Sequence, residues 1–222
     1  MSNNIAIFYN VLQINAWERL FEEQIVKMQQ SGVYDAADYI HFGINGSIPL
    51  PFDLIKVNVT KRNIRTDTEA DTLMDLYRFS VKNPNYKILY IHAKGVTHSG
   101  SNKQYEQNVS LWRNYLEYFN IELWQECISL LNEYDCVGTE WETTAKIANV
   151  LVESPHYAGN FWWANANYIS KLDPNFLYVN NNWPRWQSEF WIGTGNPKYY
   201  NFHNTNKNKY TTAIDPSEYR RN

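Results

Sequence analysis

The segment from Tyr86 to Ile91 constrains this chain most, because it is a short, nearly unbroken apolar run bounded by polar residues. Such a run suits a central strand covered on both faces. Its neighbours repeat a pattern. Ile5 to Val11 reads as a first strand. Trp17, Leu20, Phe21, Ile25 and Met28 then recur at helical spacing up to the Ser31-Gly32 stop. Tyr39 to Gly43 and Leu54 to Val59 read as further strands. Thr68 with Asp71 has the form of a capping box, opening a helix through Leu73, Leu76 and Tyr77 that Asn83-Pro84-Asn85 stops. Strands that alternate with helices predict an α/β chain with a mostly parallel, mixed, twisted sheet and helices on both faces.

The second half follows the same alphabet less regularly. A polar loop, Thr97 to Lys103, precedes a long helical stretch from Val109 through Trp112, Leu116, Phe119, Leu123 and Cys127 to Leu131, with a bend expected near Asn120. Tyr134 to Gly138 and the very aromatic Tyr157 to Ala164 read as strands. Helices are expected over Ala166 to Leu172 and around Trp186 to Ile192. Beyond Gly195 the chain is polar and reads mostly as loop. With no linker in sight, residues 1–222 are expected to form one domain.

Composition narrows the function classes. Hydrophobic residues make up 44% of the chain, enough for a sizeable core, and the net charge of -3 argues against a nucleic-acid partner. No apolar run is long enough to span a bilayer. Met1 to Asn4 are polar with no leader pattern after them, so a cytoplasmic location is expected. Cys127 and Cys136 sit in apolar settings and read as two reduced core thiols; two cysteines without a histidine pair cannot complete a zinc site. The oligomeric state cannot be read from the sequence. The unusual quantity is the aromatic content, with 9 Trp and 17 Tyr. Many belong to a core, but Trp and Tyr also form walls on which sugar rings and bases stack.

In an open parallel sheet, ligands sit beyond the carboxyl ends of the strands. The residues that follow the expected strands there are Tyr9 and Asn10, then His92, Lys94 and Gly95, then Glu140. The segment His156-Tyr-Ala-Gly159-Asn160-Phe-Trp162-Trp163 surrounds the aromatic strand. A Lys just past a buried strand, beside a Gly, can meet a diphosphate. No phosphate loop or Gly-x-Gly-x-x-Gly is present. For acid–base work Glu189 is the leading carboxylate, because Trp186, Phe190 and Trp191 around it should raise its pKa. Of Trp162 and Trp163, one is expected to face the cleft and one the core, since neighbours on a strand point to opposite faces.

The order of these segments resembles the GT-A glycosyltransferases of large DNA viruses and microbes, a family that includes enzymes of capsid glycans. The residues that carry the resemblance are Glu69-Ala-Asp-Thr72-Leu73, Tyr90-Ile-His-Ala-Lys-Gly95, Leu111-Trp112-Arg113, Tyr134-Asp135-Cys-Val-Gly138, Gly159-Asn160-Phe-Trp-Trp163-Ala164 and Glu189-Phe-Trp191. The resemblance implies transfer of a hexose from a nucleotide-sugar, UDP-linked by preference, to a carbohydrate acceptor, in the host cytoplasm for a viral protein. It implies Tyr9, Asn10, Glu69, His92, Lys94, Gly95 and His203 on the donor. It puts Glu140, His156, Gly159, Asn160, Trp162 and Trp163 on the sugar and acceptor, and Glu189 on the acceptor hydroxyl. That family commonly has Asp-x-Asp at the end of the central strand to hold a metal. Here the place reads His92-Ala93-Lys94. No cofactor is therefore expected to be essential; Mn2+ or Mg2+ held by His92 and His203 is the competing expectation. The alternative is a non-catalytic carbohydrate- or nucleotide-binding module, and a third reading, a glycoside hydrolase, needs two facing carboxylates.

Overall fold

The computed structural model describes residues 4–51, 56–62, 69–98, 102–147, 149–178 and 184–221. The first strand, β1 (Ile5–Leu12), is buried along its whole length. Its side chains alternate between two cores: Ile5, Ile7, Tyr9 and Val11 enter one, Ala6 and Phe8 the other. A strand buried at every position needs cover on both faces. The helix α1 (Trp17–Ser31) supplies it on one side and α3 (Ala70–Lys82) on the other, with the one-turn α2 (Val33–Ala36) leading into β2 (Tyr39–Asn45).

Next to these come β3 (Val57–Arg62) and β4 (Lys87–His92), then the long helical stretch. This is α4 (Lys103–Glu117), a π-helical turn at Tyr118–Glu122 where the bend was expected, and α5 (Trp124–Leu130). Ion pairs tie α1 to α4 through two buried charges of α4: Lys27 Nζ lies 2.6 Å from Glu117, and Arg113 donates to Glu23 at 2.6 Å. Arg113 of the Leu-Trp-Arg landmark thus works between helices.

The remaining strands are β5 (Cys136–Gly138), β6 (Trp141–Ile147), β7 (Val150–Tyr157), β8 (Trp162–Asn165) and β9 (Tyr199–Asn201). The main sheet has seven strands in the order β3-β2-β1-β4-β8-β5-β9; β8 runs antiparallel to both neighbours and the other pairs are parallel. The expected mostly parallel α/β architecture is therefore what the chain adopts. The chain also has α6 (Ala166–Ile169) and α7 (Pro184–Phe190), the latter followed by a 3-10 turn, Trp191–Gly193.

Several expectations need correction. The aromatic run is two strands, not one: β7 ends at Tyr157, and a turn with Gly159 at φ 96° and Asn160 at φ 53° interrupts the extended chain before β8. The antiparallel hairpin of β6 and β7, a sheet of its own, went unread. The tail is mostly loop, as expected, apart from β9, which pairs with β5, and a 3-10 turn at Pro216–Glu218. The third strand is described from Val57; its expected start at Leu54 and Thr68 of the capping box lie outside the described residues, and the residue at the N-terminus of α3 is Glu69. Both cysteines are buried free thiols, and burial pushes both thiols up from their ordinary value. Among the described residues, no helix is long and apolar enough to cross a membrane.

Candidate functional site

Beyond the carboxyl end of β4, and beside the turn that enters β8, lies a cleft of about 150 Å³. Three elements furnish it. The end of β4 brings His92 and Lys94. The Tyr157–Phe161 turn brings Gly159 and Asn160. The helix α7 brings Trp186 and Glu189, which stand three residues apart and so share a face. Glu69 and Tyr210 complete the wall.

A chain of hydrogen bonds fixes these groups. Glu69 Oε2 accepts from the Tyr90 hydroxyl at 2.6 Å and from Asn160 Nδ2 at 2.8 Å. Trp162 Nε1 donates to Asn160 Oδ1 at 2.7 Å, which sets the direction of that amide. His92 has Nδ1 at 3.8 Å from Glu69 Oε1, and its Nε2 lies 2.9 Å from the Gly159 carbonyl. The N–H of the same Gly159 donates to Glu189 Oε1. One glycine peptide therefore holds the imidazole on one side and the carboxylate on the other. A side chain at position 159 would be strained twice over: φ is 96°, and a Cβ would come within 2.7 Å of Leu116 Cδ1. Lys94 Nζ sits 3.6 Å above the Trp112 ring, a cation–π contact that holds the ammonium at the cleft wall.

The electrostatics correct one expectation. Burial alone would push the Glu189 carboxyl up. Lys94, His156, the Gly159 N–H and His92 together outweigh it and hold the group below its ordinary value of 4.5. The aromatic neighbours exert the expected pull, but the charges decide the sign, so Glu189 is an anion at neutral pH. His92 is held below its ordinary 6.5, mainly by burial, with Lys94 adding to this and Glu69 opposing it, so its ring is neutral at pH 7.

The other expected residues lie elsewhere. Tyr9 is fully buried and its hydroxyl donates to Gln24 at 2.5 Å. Asn10 clamps the sheet to α3, accepting from Thr72 Oγ1 at 2.8 Å. Neither lines the cleft. Trp162 and Trp163 are both fully buried, on opposite faces of the sheet: Trp162 stacks on Tyr90 at 5.0 Å, and Trp163 Nε1 donates to the Asn120 carbonyl. The two point to opposite faces, but neither face is open there: α3, α6 and the Trp191–Gly193 turn pack around Trp162, and the π-helical turn covers Trp163. Gly95, with φ at 95°, borders a separate hollow of about 40 Å³. His156 is buried, its Nδ1 2.6 Å from the Ser154 carbonyl and its ring against Phe190.

Glu140 and His203 form a second polar network beside the cleft. The Tyr115 hydroxyl donates to Glu140 at 3.0 Å and lies 3.0 Å from His203 Nδ1, while Lys209 Nζ pairs with Glu140 at 2.5 Å. His203 does not close over Lys94; Tyr210, seven residues nearer the end, is the described tail residue that lines the cleft. Nothing in its local pattern marked Tyr210, since a lone loop aromatic has no periodicity. Among the described residues no three His, Cys, Asp or Glu groups come together, and His92 and His203 belong to different networks.

No curated protein matches the sequence. Among solved structures, the chain is similar to the bifunctional IspDF from Campylobacter jejuni, at 9% identity and a TM-score of 0.47 over 93% of this chain and 50% of that one. It is also similar to a 4-diphosphocytidyl-2C-methyl-D-erythritol synthase, at 13% identity and a TM-score of 0.34 over 80% of this chain and 79% of that one. The chain thus spans about half the length of the first of these. A family model matches residues 53–211, which run from β3 through the cleft to Tyr210, and the chain belongs to that family, the domain of unknown function DUF8361.

Proposed function

We propose that the protein is a glycosyltransferase that moves a hexose from a nucleotide-sugar, UDP-linked by preference, to a carbohydrate acceptor. The observation that carries the reading is the pairing, in one small cleft beyond β4, of a fixed ammonium with an ionised carboxylate, Lys94 and Glu189. A leaving nucleoside diphosphate gains negative charge in the transition state, and a preplaced positive charge stabilises it. An acceptor hydroxyl needs a group to orient it and take its proton. Lys94 fits the first task and Glu189 the second. Asn160, held by Trp162 and Glu69, fits a contact to the sugar.

The two groups are coupled. Lys94 is the strongest of the influences that hold the Glu189 carboxyl down. A bound diphosphate would neutralise that ammonium, and the carboxylate would become a stronger base once the donor is in place. A hydrolase would instead need a carboxylic acid with a raised pKa to protonate the leaving oxygen. Glu189 is shifted the opposite way, and Glu69 Oε2 is already an acceptor for two donors.

With Lys94 supplying the charge, a divalent cation is not essential. The test is a thermal-shift series with UDP, UDP-sugars, ATP, GTP and NAD, followed by donor hydrolysis in EDTA. At about 100 times Kd the preferred ligand should add about 2.7 kcal/mol of stability, and UDP compounds should lead. Tight binding of ATP or NAD without UDP would overturn the reading. Complete loss of activity in EDTA, restored by Mn2+, would overturn the metal-free part alone.

A further inference from the structure

On the other side of α7 lies a cavity of about 550 Å³, more than three times the size of the cleft. The helix is a partition. Trp186 and Glu189 face the cleft, while Gln187 and Phe190, again three apart, face the cavity. The opposite wall is the middle of β7, from Val152 to Pro155. Gly193 closes this wall tightly, since a Cβ there would stand 1.7 Å from the Pro155 carbonyl oxygen.

Gln187 is the anomaly. Its exposure is 2%, and among the described residues neither its Nε2 nor its Oε1 has a hydrogen-bond partner. An amide buried with both donor and acceptor idle costs stability. The side chain lines the cavity; its two amide atoms are closed to solvent as it stands, and a turn of the amide towards the cavity would let a ligand there satisfy both at once. The rest of the wall narrows what that ligand is. Phe176 and Phe190 supply aromatic surface, and Thr194 and Asn196 add polar groups at the rim. No Lys, Arg or His lines the cavity among the described residues, and the charge present is the carboxylate of Glu153. An anion such as a phosphate is disfavoured there. A pyranose matches every feature: its C–H face packs on an aromatic ring, and two vicinal hydroxyls, one accepting and one donating, match the two ends of a single amide. The volume holds more than one such ring.

We propose that this cavity is a binding subsite for a neutral pyranose unit. Its role as the seat of the acceptor glycan, one helix away from Glu189, rests on the glycosyl-transfer reading; the binding itself does not.

The experiment is saturation-transfer NMR on the full chain with methyl α-hexopyranosides of gluco, galacto and manno configuration, and with uridine as the competing planar ligand. No donor is added. At least one hexoside is expected to receive saturation. Gln187→Leu should weaken its binding about tenfold, the size of two neutral hydrogen bonds, while the melting temperature stays level or rises because an idle buried amide is gone. Should that variant fail to fold, Thr194→Trp at the exposed rim places an indole across the mouth and should block the hexoside equally. No signal from any hexoside overturns the proposal. So does a hexoside signal that neither variant changes, or a Gln187-dependent signal from uridine in place of the sugars. A sugar that binds through Gln187 in a protein without transferase activity would refute the proposed function and leave the subsite standing.

Discussion

The two hollows that flank α7 differ in size and in charge. The smaller gathers Glu69, His92, Lys94 and Glu189 within about 150 Å³. The larger, about 550 Å³, offers aromatic rings, an amide and one rim carboxylate. Charge is concentrated where a reaction would need it, in a narrow space where its influence is strong. Breadth is kept where a bulky neutral ligand would need it. A single short helix makes the division, because residues one apart on a helix point in different directions while residues three apart coincide. If the comparison is right, substitutions on the two faces of α7 should separate chemistry from sugar binding.

The largest effect is expected from Glu189→Gln. Loss of a general base should lower kcat by about 10²-fold or more, with UDP binding and hexoside binding retained. The substitution keeps the shape, and the amide oxygen can still accept from Gly159 N–H. Single-turnover transfer assays would measure it. Near-normal rates would remove Glu189 from the reaction and leave the charged cleft without its proposed purpose. An intermediate effect is expected from Lys94→Ala. One charged contact to a diphosphate contributes about 1.5–3 kcal/mol, so UDP affinity by calorimetry should fall about 10- to 100-fold. Hexoside binding in the larger cavity should not change. A parallel loss of both would mean that the two hollows are not independent.

How much of this was legible in the sequence depends on the kind of signal. The parallel half of the sheet was, because β1 and β4 are nearly unbroken apolar runs and each is followed by a helix at clear spacing. The β6–β7 hairpin was not. Its outer residues Thr143, Thr144, Val150 and Leu151 are exposed or half-exposed, and no sharp turn dipeptide announces the reversal. The cleft was half legible. Glu69, His92, Lys94, Gly159, Asn160 and Glu189 were singled out and do meet. Trp162 and Trp163 were misjudged: alternation along a strand gives opposite directions but says nothing about what covers each face, and here both are covered. The sign of the Glu189 shift was out of reach for the same reason. Its aromatic neighbours are near in sequence, whereas Lys94, His92 and His156 reach it only through the fold. Gln187 gave no signal at all, since a glutamine in a helix looks solvated until its burial is known.

The smallest expected effect is also the sharpest test of what makes the charged hollow different. In the free protein the Glu189 carboxyl lies below 4.5 although burial works to raise it, and Lys94 is the strongest of the influences that reverse the sign. Because the folded value is depressed, Glu189 adds stability at pH above its unfolded value, and that contribution is lost as pH falls from about 4.5 through the folded value. Removing the ammonium with Lys94→Met should raise the Glu189 pKa and weaken this acid sensitivity. Saturating UDP in the wild type should raise it as well, because the diphosphate takes up the same charge. Carbon-13 NMR titration of labelled glutamate carboxyls, assigned through Glu189→Gln, reads the value directly without any turnover. A shift upward in both cases would tie donor binding to the basicity of Glu189. A Glu189 pKa that ignores Lys94→Met would show that His156, His92 and Gly159 N–H suffice. The coupling between ammonium and carboxylate would then fail, although the cleft would keep both groups.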